Sequence, residues 1–80
     1  MKVLFYGRLA DAIEPELELD NSVGCSVAEL RDRLIVEHPG AGQSLRDKRA
    51  RACVGDTLVD DSYRLSAGDT VEFLPPVSGG

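Results

Sequence analysis

Residues 25–40 read CSVAELRDRLIVEHPG. Ser26 and Glu29 have the spacing of a capping box: the serine oxygen accepts from the amide three residues on, and the glutamate reaches back to the serine amide. Cys25 and Leu30 fall at the two positions of a hydrophobic staple. Val27, Leu30, Leu34 and Ile35 share one helical face, with Glu29, Arg31, Asp32 and Arg33 largely elsewhere. Pro39-Gly40 ends the helix. A helix with a single apolar stripe needs one surface to cover, and the flanking sequence says what that surface is.

On the N-terminal side, KVLFYGRL (residues 2–9) opens with four β-prone apolar residues and reads as a central strand. In EPELELD (residues 14–20), Leu17 and Leu19 alternate with Glu16, Glu18 and Asp20, the pattern of a half-buried strand. The two strands are expected to pair antiparallel, across a segment too long for a tight hairpin. Beyond the helix, AGQSLRDKRARA (residues 41–52) reads as a polar connection. ACVGDTLVD (residues 52–60) reads as strand, turn and short strand, with Gly55-Asp56 at the bend. SYRLSAGD (residues 62–69) bends into the strand TVEFL (residues 70–74), which Pro75-Pro76 stops. Strands before and after one helix predict an α+β fold, a mixed sheet with one main helix packed on one face. The first and last strands are the most apolar, so they are expected side by side in the middle, a β-grasp arrangement. Residues 1–74 then form the domain and residues 75–80 an exposed tail.

The 80 residues are 42% apolar and 29% charged, which suits a small folded domain with little room for a deep cleft. A net charge of −5 argues against nucleic acid as a partner and favours a partner with a basic face, or solubility alone. Cys25 and Cys53 belong to no Cys-x-x-Cys pair, and with one histidine they predict no metal site and reduced thiols. The apolar run VLFY is too short for a signal peptide or a membrane span, so a cytoplasmic location without membrane association is expected. His38 reads as a helix-end residue, and Asp60-Asp61 as surface solvation. Gly40-Ala41-Gly42 lacks the lysine of a phosphate loop. Arg46 to Arg51 hold four of the nine basic residues. They read either as a solvated turn or as a contact for an acidic or phosphate-bearing partner.

Two features carry more. In the last strand Thr70, Glu72 and Leu74 share a side, and in the first strand Lys2, Leu4 and Tyr6 do. The charged residues mark that side as the wet one, so Leu4, Tyr6 and Leu74 form a candidate docking patch near the start of the tail. The tail, PPVSGG, has a stiff exit, about 20 Å of extended reach and no side chains on its last two residues. Such a tip enters a channel as wide as a backbone. A terminal carboxylate, with a pKa of about 3.3 to 3.7, is ionised at neutral pH and can attack the α-phosphate of ATP. A sulfur nucleophile can then open the acyl-adenylate.

AGDTVEFLPPVSGG (residues 67–80), with KVLFYGRLAD and SVAELRDRL, resembles the small subunit of molybdopterin synthase, a ubiquitin-like sulfur carrier. The resemblance spans nearly the whole chain and is most specific in Pro-Pro-Val-Ser-Gly-Gly. It implies a β-grasp fold and a site made by Gly80 at the carboxyl end. Leu4, Tyr6, Leu58, Leu74, Pro75, Pro76, Val77, Ser78 and Gly79 would contact partners. One implied partner is an adenylyltransferase resembling ubiquitin-activating enzymes, which uses Mg-ATP to adenylate Gly80. The other is the large synthase subunit, in a heterotetramer of two small and two large chains, where the resulting thiocarboxylate gives its sulfur to cyclic pyranopterin monophosphate. The chain itself would bind no cofactor, and its partners would supply the catalytic side chains. Other readings of the same tail are a carrier for another pathway, such as thiazole synthesis, and a protein modifier joined to lysines.

Overall fold

The computed structural model describes residues 1–19, 25–47 and 50–75 of the chain. Its elements are β1 (Lys2–Phe5), α1 (Arg8–Ala12), β2 (Glu16–Glu18), α2 (Val27–Glu37), α3 (Gly42–Arg46), β3 (Arg51–Val54), β4 (Thr57–Val59) and β5 (Thr70–Leu74). The strands form one sheet in the order β2-β1-β5-β3-β4. β1 and β5 run parallel, with Val3 opposite Val71 and Phe5 opposite Phe73; the other pairs are antiparallel. The first and last strands are thus neighbours at the centre, as their apolar content predicts, and the topology is that of a ubiquitin-like β-grasp fold.

One face of the sheet meets α2. Val3, Phe5, Ala52, Val71 and Phe73 on the strands close on Val27, Leu30 and Leu34 of the helix, all at most 2% exposed. The Phe5 and Phe73 rings lie parallel with centroids 5.9 Å apart, an offset stack across the parallel pair. The capping box forms as the spacing demands: Glu29 N–H donates to Ser26 Oγ at 3.1 Å, and Ser26 N–H to Glu29 Oε1 at 2.8 Å. The helix start is also tied to the segment before β5, since Val27 N–H donates to Tyr63 O and Leu65 N–H to Cys25 O. The β3–β4 turn places Gly55 and Asp56 at φ 56° and 67°, the doubly positive turn of a two-residue hairpin.

Three features differ from the sequence expectation. The connection after α2 is folded: a 3-10 turn over Pro39–Ala41 runs into α3, and Ala41 and Leu45 are buried. Five residues are too few for a helical period to show. A second short helix, α1, fills the gap between β1 and β2 and buries Leu9. The third concerns Arg31, expected on the polar side of α2 and found 6% exposed. Its Nε donates to Asp61 Oδ1 at 2.9 Å, Nη1 to Leu45 O at 2.8 Å, and Nη2 to Ala50 O. Its guanidinium carbon lies 5.4 Å from the centroid of the Phe73 ring. Asp61 is therefore the partner of a buried charge and not mere solvation. Asp60 builds the adjoining turn, accepting from Ser62 Oγ at 2.6 Å and Ser62 N–H at 3.0 Å.

Removing Arg31 leaves two carbonyls without their donor and Asp61 without its cation. Arg31→Ala is expected to lower the unfolding free energy by about 3 kcal/mol, whereas Arg33→Ala on the exposed face costs about 0.5 kcal/mol or less. Urea denaturation checks both; equal, small effects would mean that the Arg31 contacts are not structural.

Candidate functional site

The second face of the sheet has no layer of secondary structure over it among the described residues. Its side chains follow from the register. Leu58 of β4 stands opposite Cys53 of β3, Cys53 opposite Glu72 of β5, and Glu72 opposite Leu4 of β1. One row thus crosses four strands as Leu58, Cys53, Glu72, Leu4. It continues to Glu16 of β2, whose carboxylate lies 3.7 Å from Lys2 Nζ. The next row holds Arg51 opposite Leu74, and Tyr6 follows the last β1 residue on the same side. Tyr6 and Leu58 are 42% and 53% exposed. Leu4, Cys53, Glu72, Leu74 and Pro75 are half-buried.

Of the residues singled out from the sequence, the structure brings Leu4, Tyr6, Leu58, Leu74 and Pro75 to one face and its edge. Pro76, Val77, Ser78, Gly79 and Gly80 lie outside the described residues. So do Lys48 and Arg49 of the basic run, whose other members separate: Arg46 ends α3 and Arg51 joins the outer face of the sheet.

Two contacts escaped the sequence reading. The first is polar: Tyr6 O–H donates to Glu72 Oε2 at 2.6 Å. This bond holds the phenolic proton, and with the nearby carboxylate charge it raises the Tyr6 pKa above the ordinary value near 10. The signal was present as the shared parity of Tyr6 and Glu72 on neighbouring strands, but only the parallel register decides that they meet. The second is steric. Gly7 adopts φ 60°, ψ −134°, a region closed to residues with a Cβ. A Cβ added there would stand 3.2 Å from Cγ of Pro75. The ring of Pro75 therefore rests against the backbone that follows β1, at a point where only glycine leaves it room.

A small β-grasp domain thus presents a half-apolar sheet face, and the chain leaves the central strand at the edge of that face through Pro75. Residues 3–80 match the ThiS family, and the chain belongs to it. It is 30% identical over 80 residues to the molybdopterin synthase sulfur carrier subunit of Escherichia coli (strain K12), covering all of this chain and 99% of that one. A chain in the protein–protein complex of subunits 1 and 2 of molybdopterin-converting factor from Helicobacter pylori 26695 shares 29% identity, with a TM-score of 0.68 and coverage of 99% of this chain and 96% of that one. SAMP1 from Haloferax volcanii superposes with a TM-score of 0.80 over 99% of this chain and 97% of that one, at 22% identity, a likeness of fold alone.

Gly7→Ala is expected to lower stability by about 1 to 3 kcal/mol, because a side chain must enter a glycine-only conformation. It should also move the Pro75 resonances in an NMR spectrum; unmoved Pro75 signals would show that this contact does not set the tail root. The Tyr6–Glu72 bond gives a pH signature. A raised folded-state pKa means that its contribution is complete below pH 10 and is lost as the pH rises through the raised value. In a Tyr63→Phe background, phenolate absorbance should therefore titrate above 10, and Glu72→Leu should return it toward 10.

Proposed function

We propose that this chain is the sulfur carrier and small subunit of a molybdopterin synthase, with Gly80 as the residue that carries sulfur. The observation that carries the reading is the full-length similarity to the Escherichia coli sulfur carrier subunit. The outer sheet face and its continuity with Pro75 support it physically. In the proposed cycle the Gly80 carboxylate attacks the α-phosphorus of ATP, supplied with magnesium by a cytoplasmic adenylyltransferase resembling ubiquitin-activating enzymes, and pyrophosphate leaves. Sulfide then attacks the acyl carbon, AMP leaves, and a thiocarboxylate remains. The charged tail enters the large subunit, the sulfur bonds to cyclic pyranopterin monophosphate on the way to the dithiolene of molybdopterin, and water cleaves the acyl–sulfur bond so that Gly80 returns as a carboxylate.

The division of labour suits the chain. The domain is too small for an enclosed active site, so partners supply the catalytic side chains. Leu4, Tyr6, Leu58, Leu74 and Pro75 dock on them, while Pro76, Val77, Ser78, Gly79 and Gly80 reach in. Two sulfurs per dithiolene fit a heterotetramer of two small and two large subunits. The Helicobacter pylori complex of subunits 1 and 2 supports the large-subunit partner.

Intact mass spectrometry tests the chemistry. The chain is incubated with its cognate adenylyltransferase, Mg-ATP and a sulfide source, beside a chain lacking Gly80. Exchange of one oxygen for sulfur in the full-length chain alone is the expected outcome. No exchange, with an activating enzyme shown to work on another carrier, would overturn the reading.

A further inference from the structure

The outer sheet face holds a charge where an apolar docking surface would gain most from having none. Glu72 lies on β5, the central strand, between Cys53 and Leu4 in register, with Leu58 beyond Cys53 and Leu74 two residues along on the same side. It is half-buried. Tyr6 supplies one hydrogen bond, to Oε2, and an ionised carboxylate accepts about four. Among the described residues no cation lies in ion-pair contact with Glu72. Lys2 is turned to Glu16, and Arg51 stands in the next row, opposite Leu74.

In the free chain, water completes the solvation of this carboxylate. A partner that covers the face removes that water, and a carboxylate stripped of water at the centre of an interface is strongly unfavourable unless the partner returns a charge or donors. A second copy of this chain would do the reverse. A two-fold contact through this face brings the two Glu72 carboxylates toward each other, between chains that each carry a net charge of −5. Tyr6 also holds the carboxylate in one orientation before any partner arrives, which reduces the ordering cost of docking.

We infer that the partner surface seated on this face presents an arginine or lysine to Glu72, so that Tyr6, Glu72 and the incoming cation form a hydrogen-bonded ion pair ringed by Leu4, Leu58 and Leu74. Glu72 is then the residue that selects a basic partner, and the leucines supply the apolar contact. The inference rests on the proposed docking of the large synthase subunit through this face and adds the chemistry that subunit must offer.

The experiment is calorimetric titration of the full chain with its cognate large subunit at low and high salt, for the wild type, Glu72→Gln and Leu58→Asp. Glu72→Gln keeps the shape and an acceptor for Tyr6 but removes the charge. It is expected to weaken binding about tenfold or more and to flatten the salt dependence. Wild-type affinity and salt dependence in Glu72→Gln, together with lost binding in Leu58→Asp, would overturn the inference while leaving the docking face intact. Wild-type binding by Leu58→Asp would remove the docking face itself, and the inference with it.

Discussion

The fold turns on one buried guanidinium. Arg31 leaves the core-facing side of α2 and joins four parts of the chain distant in sequence: the carbonyl of Leu45 in α3, the carbonyl of Ala50 before β3, the carboxylate of Asp61 after β4 and the ring of Phe73 in β5. Each is a place where a short chain has few other means of fixing its course. The carbonyls of Leu45 and Ala50 lie where no strand ladder can satisfy them, and a buried carbonyl without a donor is costly. A planar group with five donors in fixed directions serves several acceptors at once, which a lysine could not.

What Arg31 holds together on the helix side determines what is offered on the other. With α2, α3 and the turn after β4 locked over one face, β5 stays central and the opposite face stays uncovered among the described residues. The chain leaves β5 at Leu74 and Pro75, and the ring of Pro75 rests against Gly7. Leu4, Glu72 and Leu74 of the outer face and Pro75 at the root of the tail therefore lie on or beside the same two parallel strands, β1 and β5. In the proposed cycle such a domain contributes a surface and a terminus, and its partners contribute the catalytic side chains.

The inferred role of Glu72 is one of specificity. An uninterrupted apolar face would dock more tightly, and also on itself and on unintended partners. In the inferred interface one carboxylate, held by a tyrosine and placed between Leu4 and Cys53, makes docking conditional on what lies opposite. The net negative charge acts in the same sense at longer range, favouring approach to basic surfaces.

Much of this was determined by the sequence alone, because it depends on local periodicity. The capping box at Ser26 and Glu29, the stripe of Val27, Leu30 and Leu34, the alternation in residues 14–20 and 70–74 and the Gly55-Asp56 turn are each set within a few residues. The parity of Leu4, Tyr6 and Leu74 followed once two charged residues marked the wet side. Tertiary structure alone decided the rest, for the same reason in each case: the partner lies far along the chain. Arg31 looks like one more charge on a polar helix face until Asp61, Leu45 and Ala50 come to meet it from 14 to 30 residues away. Tyr6 and Glu72 are 66 residues apart and meet only through the parallel register of β1 and β5. Gly7 is an ordinary loop glycine until Pro75 packs on it. Local sequence sets which face a side chain joins; only the closing of the sheet sets what it touches there.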